Sequence, residues 1–210
     1  MSPLKLLPQL LCAAVFGTMV PAVAQLNAEF QITKVEPSFI PSPSYTGPRY
    51  DKRGSKAKEW LEVEVTFDWK PRAKDPSYTD ELTFNYYILL KNESKEAPKG
   101  TLLIGSVTHT SIPQDKNMHS VVYVSPRSLE RFFEGRVPAT AGAAVAAVAV
   151  TISKQGQIVA EHVGGSFKSQ WWTSPSFQQT SGYVLNKSQT PFAPLEWDYY
   201  EAIKSDAAGR

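Results

Sequence analysis

The sequence is poor in cysteine: among 210 residues there is one, Cys12. That cysteine lies in an N-terminal segment with a basic start, an apolar run and the small residues of Ala22-Val23-Ala24. These features predict a secretory signal peptide over residues 1–24, cleaved before Gln25. The mature chain is then expected to be an exported protein with no disulfide and no thiol chemistry.

The sequence also lacks a surplus of charge of either sign and a second long apolar run. The formal net charge is +2, whereas binding to nucleic acid requires a basic stripe. The alanine-rich run 143–152 is much shorter than the roughly 20 residues of a membrane-spanning helix. We therefore expect no nucleic-acid partner and no direct membrane span.

Catalytic and metal-binding signatures are missing as well. The sequence has no G-x-S-x-G elbow and no phosphate-binding loop. None of its three histidines has the spacing of a metal ligand, and these are His109, His119 and His162. We expect no catalytic residue, no metal and no cofactor, and hence a protein that is not an enzyme.

Two pairs of acidic residues leave an enzymatic alternative open, because glycosidases use paired carboxylates. Glu62 and Glu64 share one face of a predicted strand and are interpreted as part of a solvated sheet face. Asp198 and Glu201 lie among aromatic residues, so they are the acids best placed for a cleft.

Alternating hydrophobicity dominates the middle of the chain. In Trp60–Trp69 the odd-numbered positions 61–69 are apolar and most of the intervening ones are polar, which predicts a strand with one buried face. Leu82–Leu90 repeats the pattern. Further strands are predicted at Thr101–Ile112, at His119–Val124, at Ala143–Ser153, at Ile158–Ala160, and near the N-terminus around Phe30, Ile32 and Val35.

One short helix interrupts these strands. Ser125 before Pro126 is typical of a helix start, and Gly135 predicts its end about two turns later. Seven short strands with turns between them favour an all-β, immunoglobulin-like antiparallel β-sandwich over residues 25–163. The connection Pro37–Glu59 shows no periodicity, and its length is typical of a functional or mobile loop.

The C-terminal residues 164–210 are predicted to form an aromatic extension packed on the sandwich. They hold nine of the 24 aromatic residues, too much apolar surface for a disordered tail. The candidate binding residues for a protein partner or a glycan are Trp171, Trp172, Trp197, Tyr199 and Tyr200. Aromatic rings anchor protein interfaces, stack on sugars, or simply cover a sheet, and these alternatives remain open.

These patterns together resemble exported immunoglobulin-like proteins of the Akkermansia type in Verrucomicrobia, which are encoded beside type IV pilus-like machinery. The resemblance rests on Trp60–Val65, on Phe84–Ile88 and on the ending Pro191–Trp197. It implies an immunoglobulin-like sandwich on or near the outer membrane, linked to pilus assembly or host contact. The disulfide of antibody domains is missing, so the similarity to those domains is architectural. The long N-terminal helix with which a pilin subunit polymerises is missing as well, which favours an accessory or adhesin-like role.

The sequence therefore predicts a non-enzymatic protein-interaction module, located at the outer membrane, in the periplasm or outside the cell. Its expected partners are proteins of the outer membrane or pilus, with self-association into a homo-oligomer as a further expectation. The alternative is a carbohydrate-binding module that uses the tail tryptophans on a host glycan.

Overall fold

The structure, a computed structural model, describes residues 29–44, 57–70, 76–92, 97–168 and 170–205. The predicted signal peptide and the basic part of the long connection lie outside these residues. No helix in the described part of the chain is long and apolar enough to cross a membrane.

The described residues contain nine strands and two short α-helices. The strands are β1 (Phe30–Pro41), β2 (Glu59–Trp69), β3 (Tyr78–Leu90), β4 (Thr101–Pro113), β5 (Met118–Val124), β6 (Val145–Lys154), β7 (Gln157–Val163), β8 (Gln178–Ser181) and β9 (Val184–Asn186). The helices are α1 (Pro126–Phe132) and α2 (Ala141–Ala144), and two 3-10 turns cover Trp171–Thr173 and Lys187–Gln189.

The strands form two sheets packed face to face. The first sheet has the order β1-β2-β5-β9 and is antiparallel throughout. The second sheet has the order β7-β6-β3-β4-β8, in which only the β4–β8 pair is parallel. The orders β1-β2-β5 and β7-β6-β3 correspond to strands A-B-E and G-F-C of immunoglobulin domains. The predicted all-β sandwich is therefore confirmed.

The main core lies between the two sheets and follows the predicted alternation. On β2, Leu61, Val63, Val65 and Phe67 are fully buried in this core. Phe67 meets Phe84 of β3 edge to face, with ring centroids 4.9 Å apart. Burial of such side chains is worth about 1.5–3 kcal/mol each, so this interface is the main source of stability.

The helix α1 begins where the sequence indicated. The Ser125 hydroxyl caps it by accepting a hydrogen bond from the Ser128 amide at 3.2 Å, and Pro126 occupies the first turn, where its missing amide hydrogen costs nothing. The helix ends at Phe132, and Gly135 follows with a positive φ of 80°.

Several predicted boundaries need correction. β3 begins at Tyr78, four residues before the predicted Leu82, and β7 continues past Ala160 to Val163. The strand predicted from Ala143 begins at Val145, because Thr140 caps the separate short helix α2 that contains Ala143. The connection predicted over Pro37–Glu59 is shorter at its start, since β1 continues to Pro41 and pairs with β2 along its whole length. Proline is tolerated there because β1 is an edge strand.

Residues beyond Val163 are an integral part of both sheets. β8 lies beside β4 at the edge of the second sheet, and β9 lies beside β5 at the edge of the first. The chain therefore crosses from one sheet to the other between these two short strands. This crossing closes one side of the sandwich.

The chain returns to that side at its end. Residues 201–205, here called the C-terminal strap, lie across the edges of both sheets. The Glu201 amide donates to the His119 carbonyl of β5 at 3.1 Å, and the Lys204 amide donates to the Thr108 carbonyl of β4 at 2.7 Å. The Thr110 amide donates to the strap at Ala202.

Candidate functional site

The five candidate aromatic residues lie in two separate places. Trp171 and Trp172 lie on the outer face of the second sheet, where they are 8% and 5% exposed. Trp172 stacks on Tyr87 of β3, with ring centroids 4.9 Å apart. The small side chains of β6, Ala147 and Ala149, leave room for the two indoles. The paired tryptophans thus cover a sheet and offer no open ring face to a ligand.

The other three candidates lie together on the outer face of the first sheet. Tyr200 is half-buried, whereas Trp197 is 75% exposed and Tyr199 is 47% exposed. Phe192 anchors this part of the extension by stacking on Tyr123 of β5, with ring centroids 4.7 Å apart, and by meeting Trp60 edge to face. The exposed rings of Trp197 and Tyr199 are here called the exposed aromatic patch.

Glu64 of β2 holds this region in place. Its carboxylate accepts hydrogen bonds from the hydroxyls of Tyr199 at 3.0 Å and Tyr200 at 3.2 Å. His119 of β5 contributes Nδ1 at 3.0 Å from the same carboxylate and stacks on Tyr199. Glu64 was interpreted from the sequence as part of a solvated face, but its carboxylate is covered by the extension.

Glu62, its neighbour on the same face, is also covered. Burial raises the pKa of Glu62, and the charges of Glu64 and Glu196 raise it further, although hydrogen bonds from Tyr123 and Ser38 oppose the shift. Three carboxylates thus lie close enough to influence one another. Tyrosine and serine hydroxyls hydrogen-bond to Glu62 and Glu64 and tie these two carboxylates into the packing of the extension, whereas Glu196 is exposed.

In the second acidic pair proposed from the sequence, Asp198 precedes the strap and Glu201 is its first residue. Asp198 is exposed, and Glu201 is half-buried. Burial raises the pKa of Glu201, with a smaller contribution from the charge of Asp115. Within the described ranges, no three histidine, cysteine or acidic side chains cluster closely enough to hold a metal ion.

Lys187 lies behind the exposed aromatic patch. It is only 6% exposed, and its ammonium donates to the carbonyls of Ala193 and Leu195. The ammonium also lies 5.6 Å from the ring centroid of Trp197 and 5.5 Å from that of Tyr200. Burial lowers the pKa of Lys187, while the charge of Glu196 raises it. This cation–π contact places the Lys187 ammonium over the ring of Trp197 and leaves most of the indole surface in solvent.

A cleft runs along the side of the sandwich, between the β8–β9 crossing and the strap. Its mostly apolar end, of about 380 Å³, is lined by Trp197, Tyr200, Val121 and the aliphatic part of Lys187. Its polar end, of about 500 Å³, is lined by the β4 edge at residues 104–108. The two ends share four lining residues, which are Asn186, Gln189, Ile203 and Lys204. We identify this cleft with the exposed aromatic patch beside it as the candidate functional site.

A buried polar chain lies beneath the cleft. His109 of β4 is 1% exposed, and its Nε2 lies 2.7 Å from the Ser120 hydroxyl of β5. Ser120 also accepts a hydrogen bond from Tyr86 of β3 at 2.7 Å. On its other side, His109 Nδ1 lies 3.0 Å from the carbonyl of Glu201. These groups join both sheets to the strap.

The sequence did not identify the cleft. His109 lies in a predicted strand, but the sequence does not predict its burial or its link to the strap. The only local signal was Gly105, where any side chain would meet Val184 of β9 at 2.4 Å. That contact joins residues almost 80 positions apart, so it required the sheet topology.

The fold and its covered sheet faces define an immunoglobulin-like β-sandwich with an integral aromatic extension. A protein-family model matches residues 21–207, so the chain belongs to that family, which is of the Akkermansia type. A crystal structure of a protein from Akkermansia muciniphila has 29% sequence identity and a TM-score of 0.70, and the match covers 85% of this chain and 94% of that one. No protein of curated function matches the chain.

Proposed function

We propose that this protein is an exported, non-enzymatic interaction module of the cell envelope. In this role it is an accessory component of a pilus-like or outer-membrane assembly involved in host contact. The sequence resemblance to Akkermansia-type proteins encoded beside pilus-like machinery motivates this assignment. The family match and the similarity to the Akkermansia muciniphila protein support the Akkermansia type on which that resemblance rests. The immunoglobulin-like fold is compatible with it, since the fold itself serves many binding functions.

The observation that carries the proposal is the exposure of Trp197. Phe192 on the same segment packs against the first sheet, yet Trp197 is held by Lys187 with 75% of its surface in solvent. Tryptophan, tyrosine and arginine are the residues most enriched at the energetic centres of protein interfaces. A tryptophan side chain has only two rotatable bonds and loses little conformational freedom on binding, so Trp197 is well suited to be such an anchor.

Site-specific photo-crosslinking tests the proposal in the cells that produce the protein. A photoreactive phenylalanine analogue at position 197 should give an adduct with an envelope protein of the pilus-like assembly, identified by mass spectrometry. Position 78 is the matched control, because Tyr78 is 61% exposed on a different sheet. Equal adducts from both positions, or none from position 197, would contradict the proposal.

We also expect self-association through the exposed aromatic patch. The exposed aromatic patch of one copy can pack on a neighbouring copy, so we expect the purified chain from Gln25 to Arg210 to exceed the monomer mass in light scattering. Replacing Trp197 by alanine should return the mass to that of a monomer. A monomer at all concentrations of the unmodified chain would exclude the homo-oligomer and leave the envelope partner as the target of the patch.

A further inference from the structure

The outer edge of β4 is covered by two different parts of the chain, with a gap between them. β8 pairs with Thr101–Ile104 in parallel. The strap pairs in antiparallel fashion around His109, which lies opposite Ile203. Residues 105–107 fall between these two pairings and belong to neither register. An edge with unpaired main-chain groups is a template for another strand.

The direction of the main chain identifies which residue faces the gap. In an antiparallel pair, alternate residues direct both their amide and their carbonyl toward the same neighbour. The Thr108 carbonyl and the Thr110 amide both bond to the strap, so the even-numbered residues of β4 face outward. The β3–β4 register has no shift between residues 102 and 112. Ser106 therefore directs its amide and its carbonyl into the polar end of the cleft.

Two segments form the walls of this end of the cleft. Gly105 lets Val184 of the crossing approach the β4 main chain directly, since a Cβ at Gly105 would lie 2.4 Å from the Cβ of Val184. The crossing is thereby fixed at one wall, and the strap forms the other. The volume of about 500 Å³ lies within the range typical of ligand sites.

The chemistry of the lining favours a peptide main chain over a sugar or an anion. Among the described residues that line the polar end, none is aromatic, so a sugar would have no ring to stack on. Its one lysine, Lys204, is paired with Glu81. The side chains of Asn186 and Gln189 cap the 3-10 turn between them. The outward groups of Ser106, one donor and one acceptor, match the pair that an extended peptide presents.

We propose that the cleft binds an extended peptide segment of a partner protein by β-strand addition at Ser106. One residue of the peptide exchanges two main-chain hydrogen bonds with Ser106, and an apolar side chain farther along enters the mostly apolar end beside Trp197. This inference rests on the proposed function as an interaction module. It specifies the partner chemistry as an exposed, extended segment with a large apolar residue.

The test uses the mature chain and a phage-displayed library of random linear nonapeptides. Enriched peptides are synthesised, and their Kd is measured by isothermal titration. In the variant Ser106→Pro, which removes the outward amide, binding should weaken at least tenfold. In the matched control Ser106→Ala, which changes only the exposed side chain, the Kd should stay within a factor of two.

A second measurement does not depend on the proline variant folding. Amide hydrogen exchange at Ser106 should be faster in the free protein than at Gly105 and Val107, whose amides face β3, and it should slow at least tenfold with peptide bound. N-methylation of the one peptide amide that donates to the Ser106 carbonyl should also weaken binding at least tenfold.

Two results would overturn the inference: no linear peptide is enriched, or the enriched peptides leave exchange at Ser106 unchanged and bind Ser106→Pro normally. Neither result affects the proposed function, because crosslinking from position 197 reports a partner independently of Ser106. If instead crosslinking fails while Ser106 binds peptides, the strand-addition site stands and the assignment to a pilus-like assembly falls.

Discussion

Acidification should destabilise this protein mainly through His109. The Tyr86 hydroxyl donates to Ser120, so the Ser120 hydroxyl is free to donate to His109 Nε2. His109 then donates from Nδ1 to the carbonyl of Glu201. This network satisfies every partner only with a neutral imidazole, and a proton on Nε2 would oppose the hydroxyl hydrogen of Ser120.

The magnitude follows from the pKa difference between the folded and unfolded states. Burial lowers the pKa of His109 from 6.5 to about 4, and hydrogen bonds to the main chain at Glu201 and Ala202 only partly oppose this. Between these two pH values the unfolded chain binds a proton that the native protein does not. The contribution of neutral His109 to stability is therefore fully present above pH 6.5 and is lost as the pH falls toward 4. At about 1.4 kcal/mol per pH unit, the loss reaches about 3 kcal/mol.

Urea unfolding at about pH 7, 5.5 and 4.5 measures this loss for the wild type and for His109→Asn. The asparagine variant should be less stable at neutral pH but should show a much flatter pH dependence. The control is His162→Asn, since burial also lowers the pKa of His162, which is only half-buried. Glu62 and Glu201, whose pKa values burial raises, act in the opposite sense, and they are common to all three proteins. An unchanged slope in His109→Asn would refute the reasoning.

Two further predictions concern the extension. Trp172→Ala should lower the free energy of unfolding by about 3–5 kcal/mol, because the indole is buried on the second sheet, whereas Trp197→Ala should lower it by about 1 kcal/mol or less. Urea unfolding measures both changes. A comparable loss in the two variants would contradict the assignment of Trp172 to packing and of Trp197 to partner contact. Gly105→Ala should cost about 1–3 kcal/mol by forcing Val184 away. Its control Gly142→Ala, where nothing lies within 4 Å of the added carbon, should unfold thermally at or above the temperature of the wild type.

The sequence was sufficient to predict the central sandwich, because period-two alternation in β2 and β3 reports a buried face directly. The helix start at Ser125 was also predictable, since a cap and a proline act locally. The two short strands β8 and β9 were not predicted. They have three or four residues each and little alternation, and they pair only because the rest of the fold brings β4 and β5 beside them.

The candidate site was only partly predictable for the same reason. The aromatic excess of the extension indicated Trp171, Trp172 and Trp197 together, but composition does not distinguish a ring that covers a sheet from one that faces solvent. The distinction depends on which residues lie against each ring in the folded protein. Alanines on β6 accommodate the first two rings, whereas the third ring contacts the Lys187 ammonium and lies mostly in solvent.

The way in which the strand edges are covered links the C-terminal extension to the proposed peptide binding at Ser106. A sandwich exposes edges that invite uncontrolled pairing, and proteins protect them with prolines, charges or covering segments. Here β1 carries Pro37, Pro41 and the exposed ion pair Lys34–Glu36. The edges of β4 and β5 are instead covered by β8, β9 and the strap, and the cover leaves the outward groups of Ser106 in the cleft. An edge that is protected along most of its length and open at one residue limits strand addition to a single register, next to the exposed tryptophan.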